Sequence, residues 1–268
     1  MTLSKDQPKF TVVFPLYDDR GQAVRAVKSW IDQRTFDDQF ELVIVDAGQT
    51  DLAAMIRPLL GPADRLVECP AGNEATMYNV GAFASRTAWI LLTESHVLPA
   101  ADCVASLQNR LAADDFDAGT LGSANVVRSR FSDIDARTFH AELSAVQVLG
   151  LWRQFGLRGI VVRRQALEAV GWFAEQYHRF SETVFAIRLD LEHYRLVELA
   201  DVVVAHVDTD NVPELARAMY LGRVGFCRFW ENEPELAAQY FGGSMEEHCG
   251  TWNSPRRIRE SLAAALRI

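Results

Sequence analysis

Three segments of this chain place side chains able to hold a metal ion or a polar ligand directly after runs of apolar residues. Glu94 and His96 follow the run Trp89-Ile90-Leu91-Leu92, in the order Thr93-Glu94-Ser95-His96. A carboxylate and an imidazole two residues apart, on a turn leaving a strand, can face one small volume. Together they offer an oxygen and a nitrogen donor, a set suited to Mn²⁺ or another first-row divalent ion. The competing reading is a surface turn carrying an incidental histidine, and E-x-H by itself does not choose between them. Asp46 closes the run FELVIVD, and His206 comes directly after LADVVVA. A lone histidine after an apolar strand serves a structural hydrogen bond as readily as a metal.

These residues need elements to position them. Phe10–Leu16 (FTVVFPL), Phe40–Asp46, Arg65–Cys69 and Trp89–Thr93 read as short buried strands. Gly21–Gln33, with Val24, Val27 and Ile31 on one face, and Asn73–Ser85 read as helices between them. Continuous apolar strands separated by helices predict a parallel sheet covered on both faces. Ligands of such sheets bind beyond the carboxyl ends of the strands, where Asp46 and Glu94 fall. The second half is less regular. It predicts a strand within Asp117–Val127, a helix over Ala136–Val148, a strand at Gly159–Val162 and a short helix Gln165–Val170 stopped by Gly171. A further strand within Val197–Ala205 precedes a helical pattern from Pro213 onward. One compact domain over 1–212 with a helical C-terminal appendage over 213–268 is the expected organisation.

Bulk properties narrow the function classes. A formal charge of −9 argues against a broad nucleic-acid surface, which needs clustered Lys and Arg. The four cysteines (Cys69, Cys103, Cys227 and Cys249) show no C-x-x-C spacing, so a disulfide framework or cysteine zinc site is not expected and a reducing cytoplasm fits. Met1–Pro8 is short and polar, unlike a signal peptide, and no apolar run is long enough to span a membrane.

Taken in order, FTVVFPLYDD, FELVIVDAGQTD and YNVGAFASRTAWILLTESHVLP resemble the nucleotide-binding half of the family 2 glycosyltransferases. That family shows a strand ending in P-x-Y-N, a second ending in D-D-G-S-x-D, a helix with R-N-x-G, and a strand leading into an acidic D-x-D-type motif. The matching positions here are Pro15, Tyr17 and Asp18; Asp46, Gly48, Thr50 and Asp51; Asn79 and Gly81; and Glu94 with His96. The resemblance implies a GT-A type α/β fold, with a Rossmann-like, mostly parallel sheet flanked by helices. The nucleotide-binding part would cover about 8–100 and the acceptor side about 101–212. It also implies a nucleotide diphosphate sugar donor, most commonly a UDP-sugar, an inverting transfer to an acceptor hydroxyl, and a divalent cation. One carboxylate and one histidine in place of two carboxylates favour Mn²⁺ over Mg²⁺, which prefers oxygen ligands. Pro15, Tyr17, Asp18, Asp46 and Asn79 would then line the donor site, and Glu94, His96 and His206 would hold the metal.

The resemblance continues more loosely downstream. Leu157-Arg158-Gly159 and LEAVGWF (Leu167–Phe173) match the family's acceptor-side strand, helix and turn. The family then carries E-D on a helix with an Arg six residues after the Asp. Arg188 lies six residues after Glu182, which puts Glu182 at the catalytic-base position and Ser181 in place of the Glu. An acid at a helix start would also complement the helix dipole without any catalytic role. Three departures, Ala47 for the second acid of D-D-G, Ser181 for the Glu of E-D and the altered D-x-D, motivate a competing reading as an inactive GT-A scaffold. A nucleotidyltransferase would want a Gly-rich basic loop after the first strand, where Tyr17-Asp18-Asp19-Arg20-Gly21 stands instead.

In the appendage, Leu215, Met219, Phe226, Phe229 and Trp230 lie among Arg217, Arg223 and Arg228. This pattern suits an amphipathic helix closing the core, or one whose Arg223 reaches the diphosphate. Ser254–Ile268 is a basic amphipathic pattern suited to an anionic membrane at the inner face, to the domain, or to a second subunit in a homo-oligomer.

Overall fold

The computed structural model describes residues 9–17, 19–35, 40–48, 51–70, 72–137 and 150–250. Among the described residues, eight strands form one sheet: β1 (Thr11–Leu16), β2 (Glu41–Asp46), β3 (Arg65–Glu68), β4 (Trp89–Leu92), β5 (Val97–Pro99), β6 (Ala118–Val126), β7 (Ile160–Arg163) and β8 (Leu196–Val207). Their order is β3-β2-β1-β4-β7-β6-β8-β5. Only β7 and β5 run against the others, so the sheet is mostly parallel. The helices are α1 (Ala23–Ile31), α2 (Leu52–Ile56), α3 (Glu74–Ala84), α4 (Cys103–Ala113), α5 (130–137 among the described residues), α6 (Arg164–Ala169), α7 (Ser181–Leu191), α8 (Val212–Asn232), α9 (Pro234–Phe241) and α10 (Met245–Cys249).

The strand period of two sends alternate residues into two cores. Phe10, Val12, Phe14 and Leu16 pack under α1 and α4, with Val27, Trp30, Val104 and Leu107. Val13, Ile90, Leu92 and Ile160 pack on the opposite face with Tyr78, Val184 and Phe185 of α3 and α7. Gly81 lets α3 settle on that face, since a Cβ there would stand 2.4 Å from Val13 Cγ1 and 2.9 Å from Val45 Cγ2.

The chain builds β2 and β3 to one side of β1 and β4 to the other, so the strand order reverses between β1 and β4. Pro15 opens the sheet at that point. The N–H of Thr93 donates to the carbonyl of Val13. The next rung of a parallel ladder would run from the N–H of residue 15 to the carbonyl of Thr93, and proline has no such donor. The Tyr78 hydroxyl takes that carbonyl instead, at 2.9 Å. β1 and β4 therefore part just before Tyr17 and Glu94, which leaves a crevice where α/β sheets bind ligands.

The strands and helices expected in the first half are present, as are those at 117–127, 159–162 and 165–170. Two details differ. β8 runs through Val207, so His206 lies inside the strand, because β5 and β6 both pair with it there. The three-residue β5 is too short to show periodicity, and it exists only because β8 offers it an edge. Most of the helix expected over 136–148, and the basic pattern 254–268, lie outside the described residues. All four cysteines are free thiols, and no helix among the described residues is long and apolar enough to cross a membrane.

Helix α8 lies against a turn of 3₁₀-type backbone over Glu175–Phe180. Gly225 permits this approach, because a Cβ there would come within 1.9 Å of the Tyr177 carbonyl oxygen; Gly222, one turn earlier, faces nothing within 4 Å. Gly225→Ala should therefore destabilise the fold by about 1–3 kcal/mol through overpacking. Gly222→Ala should be neutral or stabilising by up to about 1 kcal/mol through helix propensity. Urea denaturation of the two variants checks the contrast.

Candidate functional site

After β4 the chain turns at once, with the N–H of Val97 donating to the carbonyl of Glu94 at 3.1 Å. β5 then pairs with β8, Val97 opposite His206, and the N–H of Val207 donates to the carbonyl of His96. This register brings residues far apart in sequence into contact. His96 Nε2 and His206 Nε2 are 3.2 Å apart, and each lies 3.5 Å from Glu94 Oε2. All three side chains are buried. Around an ion with bonds of about 2.1 Å, neighbouring donor atoms sit about 3.0–3.5 Å apart. The two imidazoles and the carboxylate fit that spacing, and three donors on one side leave coordination positions open to a ligand.

Burial by itself would raise the Glu94 pKa. The two imidazoles beside it, that of His96 first and then that of His206, more than reverse this, holding the carboxyl well below the usual range. The other oxygen of Glu94 faces Arg179 at 3.4 Å, and Arg179 Nε bonds Glu74 Oε2 at 3.1 Å. On the far side, His206 Nδ1 is 2.9 Å from Asp208 Oδ1, and the Arg158 guanidinium meets the same oxygen at 3.4 Å. Arg158 also reaches Ser123 and Asn125 on β6. It precedes β7, whose reversed direction brings it to the carboxyl edge of the sheet.

Glu182 stands in the first turn of α7. Burial first, then Glu74 and Glu94, push its carboxyl up to about 8 against the opposing pull of Arg179 and Arg153. Glu74, Glu94 and Arg179 are thus near enough to act on its charge.

The expected donor-site residues are placed less uniformly. Asp46 ends β2, and its side chain accepts the N–H of Gly48 at 3.0 Å. Tyr17 meets Arg217 of α8, the guanidinium donating to its hydroxyl at 2.9 Å. Pro15 lies inside β1, and Asp18 is outside the described residues. The Asn79 amide clamps the backbone of Phe173, giving to its carbonyl at 2.9 Å and accepting from its N–H at 3.0 Å. Arg223 bonds the carbonyl of His248 and lies over the Phe226 ring, so the appendage's own packing engages it. Sequence reasoning passed over Arg179 and Asp208, and named Arg158 and Arg217 without giving either a role in the site. Asp208, two residues after His206, had a signal of its own in the pattern H-x-D at a strand end.

Among solved structures, the mannosyltransferase PcManGT from Pyrobaculum calidifontis, in complex with GDP-Man and Mn²⁺, matches 97% of this chain and 74% of its own at a TM-score of 0.64. The chain has the GT-A fold. Residues 1–349 of S. aureus TarS in complex with UDP-GlcNAc match 96% of this chain and 79% of that one at 0.60. Identities are 18% and 14%, so the likeness is one of fold. No protein-family model and no curated protein matches the sequence.

A three-donor site should bind Mn²⁺ in the purified protein, with Glu94→Ala and His206→Ala each weakening it at least tenfold by calorimetry. Equal affinity in the wild type and both variants would rule the cluster out as a metal centre.

Proposed function

We propose that the protein is a metal-dependent, inverting glycosyltransferase that moves a sugar from a nucleotide diphosphate donor, a UDP-sugar by the family's habit, to an acceptor hydroxyl. The observation that carries this reading is the buried Glu94–His96–His206 cluster at the carboxyl edge of a GT-A sheet, whose Glu94 acts on the charge of Glu182. Support comes also from the two neighbours of the same fold, whose structures hold GDP-Man with Mn²⁺ and UDP-GlcNAc.

Glu94, His96 and His206 would hold the divalent ion, and their nitrogen-rich donor set favours Mn²⁺ over Mg²⁺. When bound, such an ion neutralises charge growing on the leaving diphosphate, more in the transition state than before it. Tyr17, just after β1, and Asp46, at the end of the neighbouring β2, receive the nucleoside beside the crevice between β1 and β4. Arg217, already on the Tyr17 hydroxyl, replaces Arg223 as the basic residue from the appendage able to reach the donor. Glu182 takes the acceptor proton as the hydroxyl attacks the anomeric carbon from the face opposite the diphosphate, which inverts that centre.

Because a base must be ionised to accept a proton, kcat/KM should rise with pH and level off above about 8, the value to which Glu182 is pushed. Glu182→Gln should lower kcat by about 10²–10⁴-fold and abolish that limb, with donor affinity little changed. The function itself is tested by incubating the protein with a panel of nucleotide sugars with Mn²⁺, with Mg²⁺ and with chelator. Metal-dependent release of a nucleoside diphosphate from one donor, lost in Glu94→Ala, is the expected result. No metal-dependent turnover and no metal-dependent nucleotide binding would instead support the inactive scaffold.

A further inference from the structure

A histidine can ligate a metal through Nε2 only if its proton sits on Nδ1. In this cluster the proton has competing attractions. Glu94 Oε2 lies 3.5 Å from His206 Nε2, and His96 Nε2 lies 3.2 Å from it. Either would hold a proton on the His206 nitrogen that has to carry a free lone pair. On the other side of the ring stands Asp208, fully buried, with Oδ1 2.9 Å from Nδ1. A carboxylate is an acceptor only, so this contact requires the proton on Nδ1.

We propose that Asp208, backed by Arg158, is a positioning residue that fixes His206 as its Nδ1–H tautomer and thereby aims the Nε2 lone pair into the cluster. The inference rests on reading Glu94, His96 and His206 as metal ligands, and it adds the residue that makes the third ligand competent. Arg158 belongs to the arrangement because its guanidinium meets the same Oδ1 at 3.4 Å and is anchored to β6 through Ser123 and Asn125. It concentrates hydrogen bonding on one oxygen and leaves Asp208 Oδ2 without a partner. The carboxylate plane is thus set by two donors converging on a single atom. Outer partners of metal-bound histidines commonly govern affinity in this way, by about 10–100-fold.

The geometry separates two substitutions. In Asp208→Asn the amide oxygen takes the Oδ1 position, because an NH₂ group there would face both the Arg158 guanidinium and the Nδ1 proton. The tautomer should survive. In Asp208→Ala nothing holds Nδ1–H, and the proton should move to Nε2, toward Glu94.

The experiment uses the full chain labelled with ¹⁵N at histidine. In metal-free protein, the His206 nitrogen shifts should report Nδ1–H in the wild type and Asp208→Asn, and Nε2–H in Asp208→Ala. Titration with Mn²⁺, followed by the loss of the free-ion electron paramagnetic signal, should show about 10–100-fold weaker binding in Asp208→Ala. Asp208→Asn should stay within a few-fold of wild type, with thermal unfolding verifying that each variant is folded. An Nδ1–H signal retained in Asp208→Ala overturns the proposal whatever the metal does. So does unchanged Mn²⁺ affinity in that variant when the wild type binds. A wild type that binds no Mn²⁺ but shows the expected tautomers sinks the metal reading of the cluster instead, and leaves the fixing of His206 by Asp208 standing.

Discussion

A carboxylate and two imidazoles enclosed together must be compensated, because an ionised or hydrogen-bonding group taken out of water is costly unless it is paired. The organisation of the cleft follows from that constraint. Two members of the cluster have a charged partner outside it: Arg179 on the second oxygen of Glu94, and Asp208 on the second nitrogen of His206. Those partners have anchors of their own, Glu74 behind Arg179 and Arg158 behind Asp208. The polar shell alternates in charge outward from the three donors, so the donors can be buried and still point at one another.

Holding that shell in place is the task of the packing. The cluster draws on the ends of β4 and β8, while its partners come from α3, the backbone before α7 and the chain before β7. None of these is adjacent in sequence to all the others. Close backbone approach brings them together: Gly81 lets α3 and its Glu74 sit down on the sheet, and Gly225 lets α8 press on the turn that carries Arg179. His178 in that turn has φ 48 and ψ −129, a conformation that L residues seldom adopt and that persists only when surroundings enforce it. The tight seat of α8 against Tyr177 supplies such enforcement directly before Arg179 and Glu182.

Pro15 and Asn79 show how a motif position can act through architecture. Pro15 ends the β1–β4 ladder and opens the crevice by lacking a donor. Asn79 ties α3 to Phe173 in the segment that leads to α7. The sequence leads one to expect both to line a donor site; in the structure each has an architectural role.

The sequence alone determined the pattern of buried strands and intervening helices, because continuous apolar runs and helical periodicity are local properties. It also determined that Glu94, His96 and Asp46 stand at strand ends, since a strand's end can be read from where its apolar run stops. It could not decide that His206 meets Glu94 and His96. That depends on β5, three residues long and without periodicity, pairing with β8 in one particular register, and a slip of one residue would turn His206 to the other face of the sheet. Nor could it choose among the arginines: Arg223 and Arg217 look alike on a helical pattern, and only the seat of α8 puts Arg217 on Tyr17 while turning Arg223 to His248. Arg158 and Asp208 gain their roles from an antiparallel strand that brings the start of β7 to the same edge as the end of β8. Local chemistry singled out the three side chains; long-range register, fixed by packing on both faces of the sheet, brought them into contact.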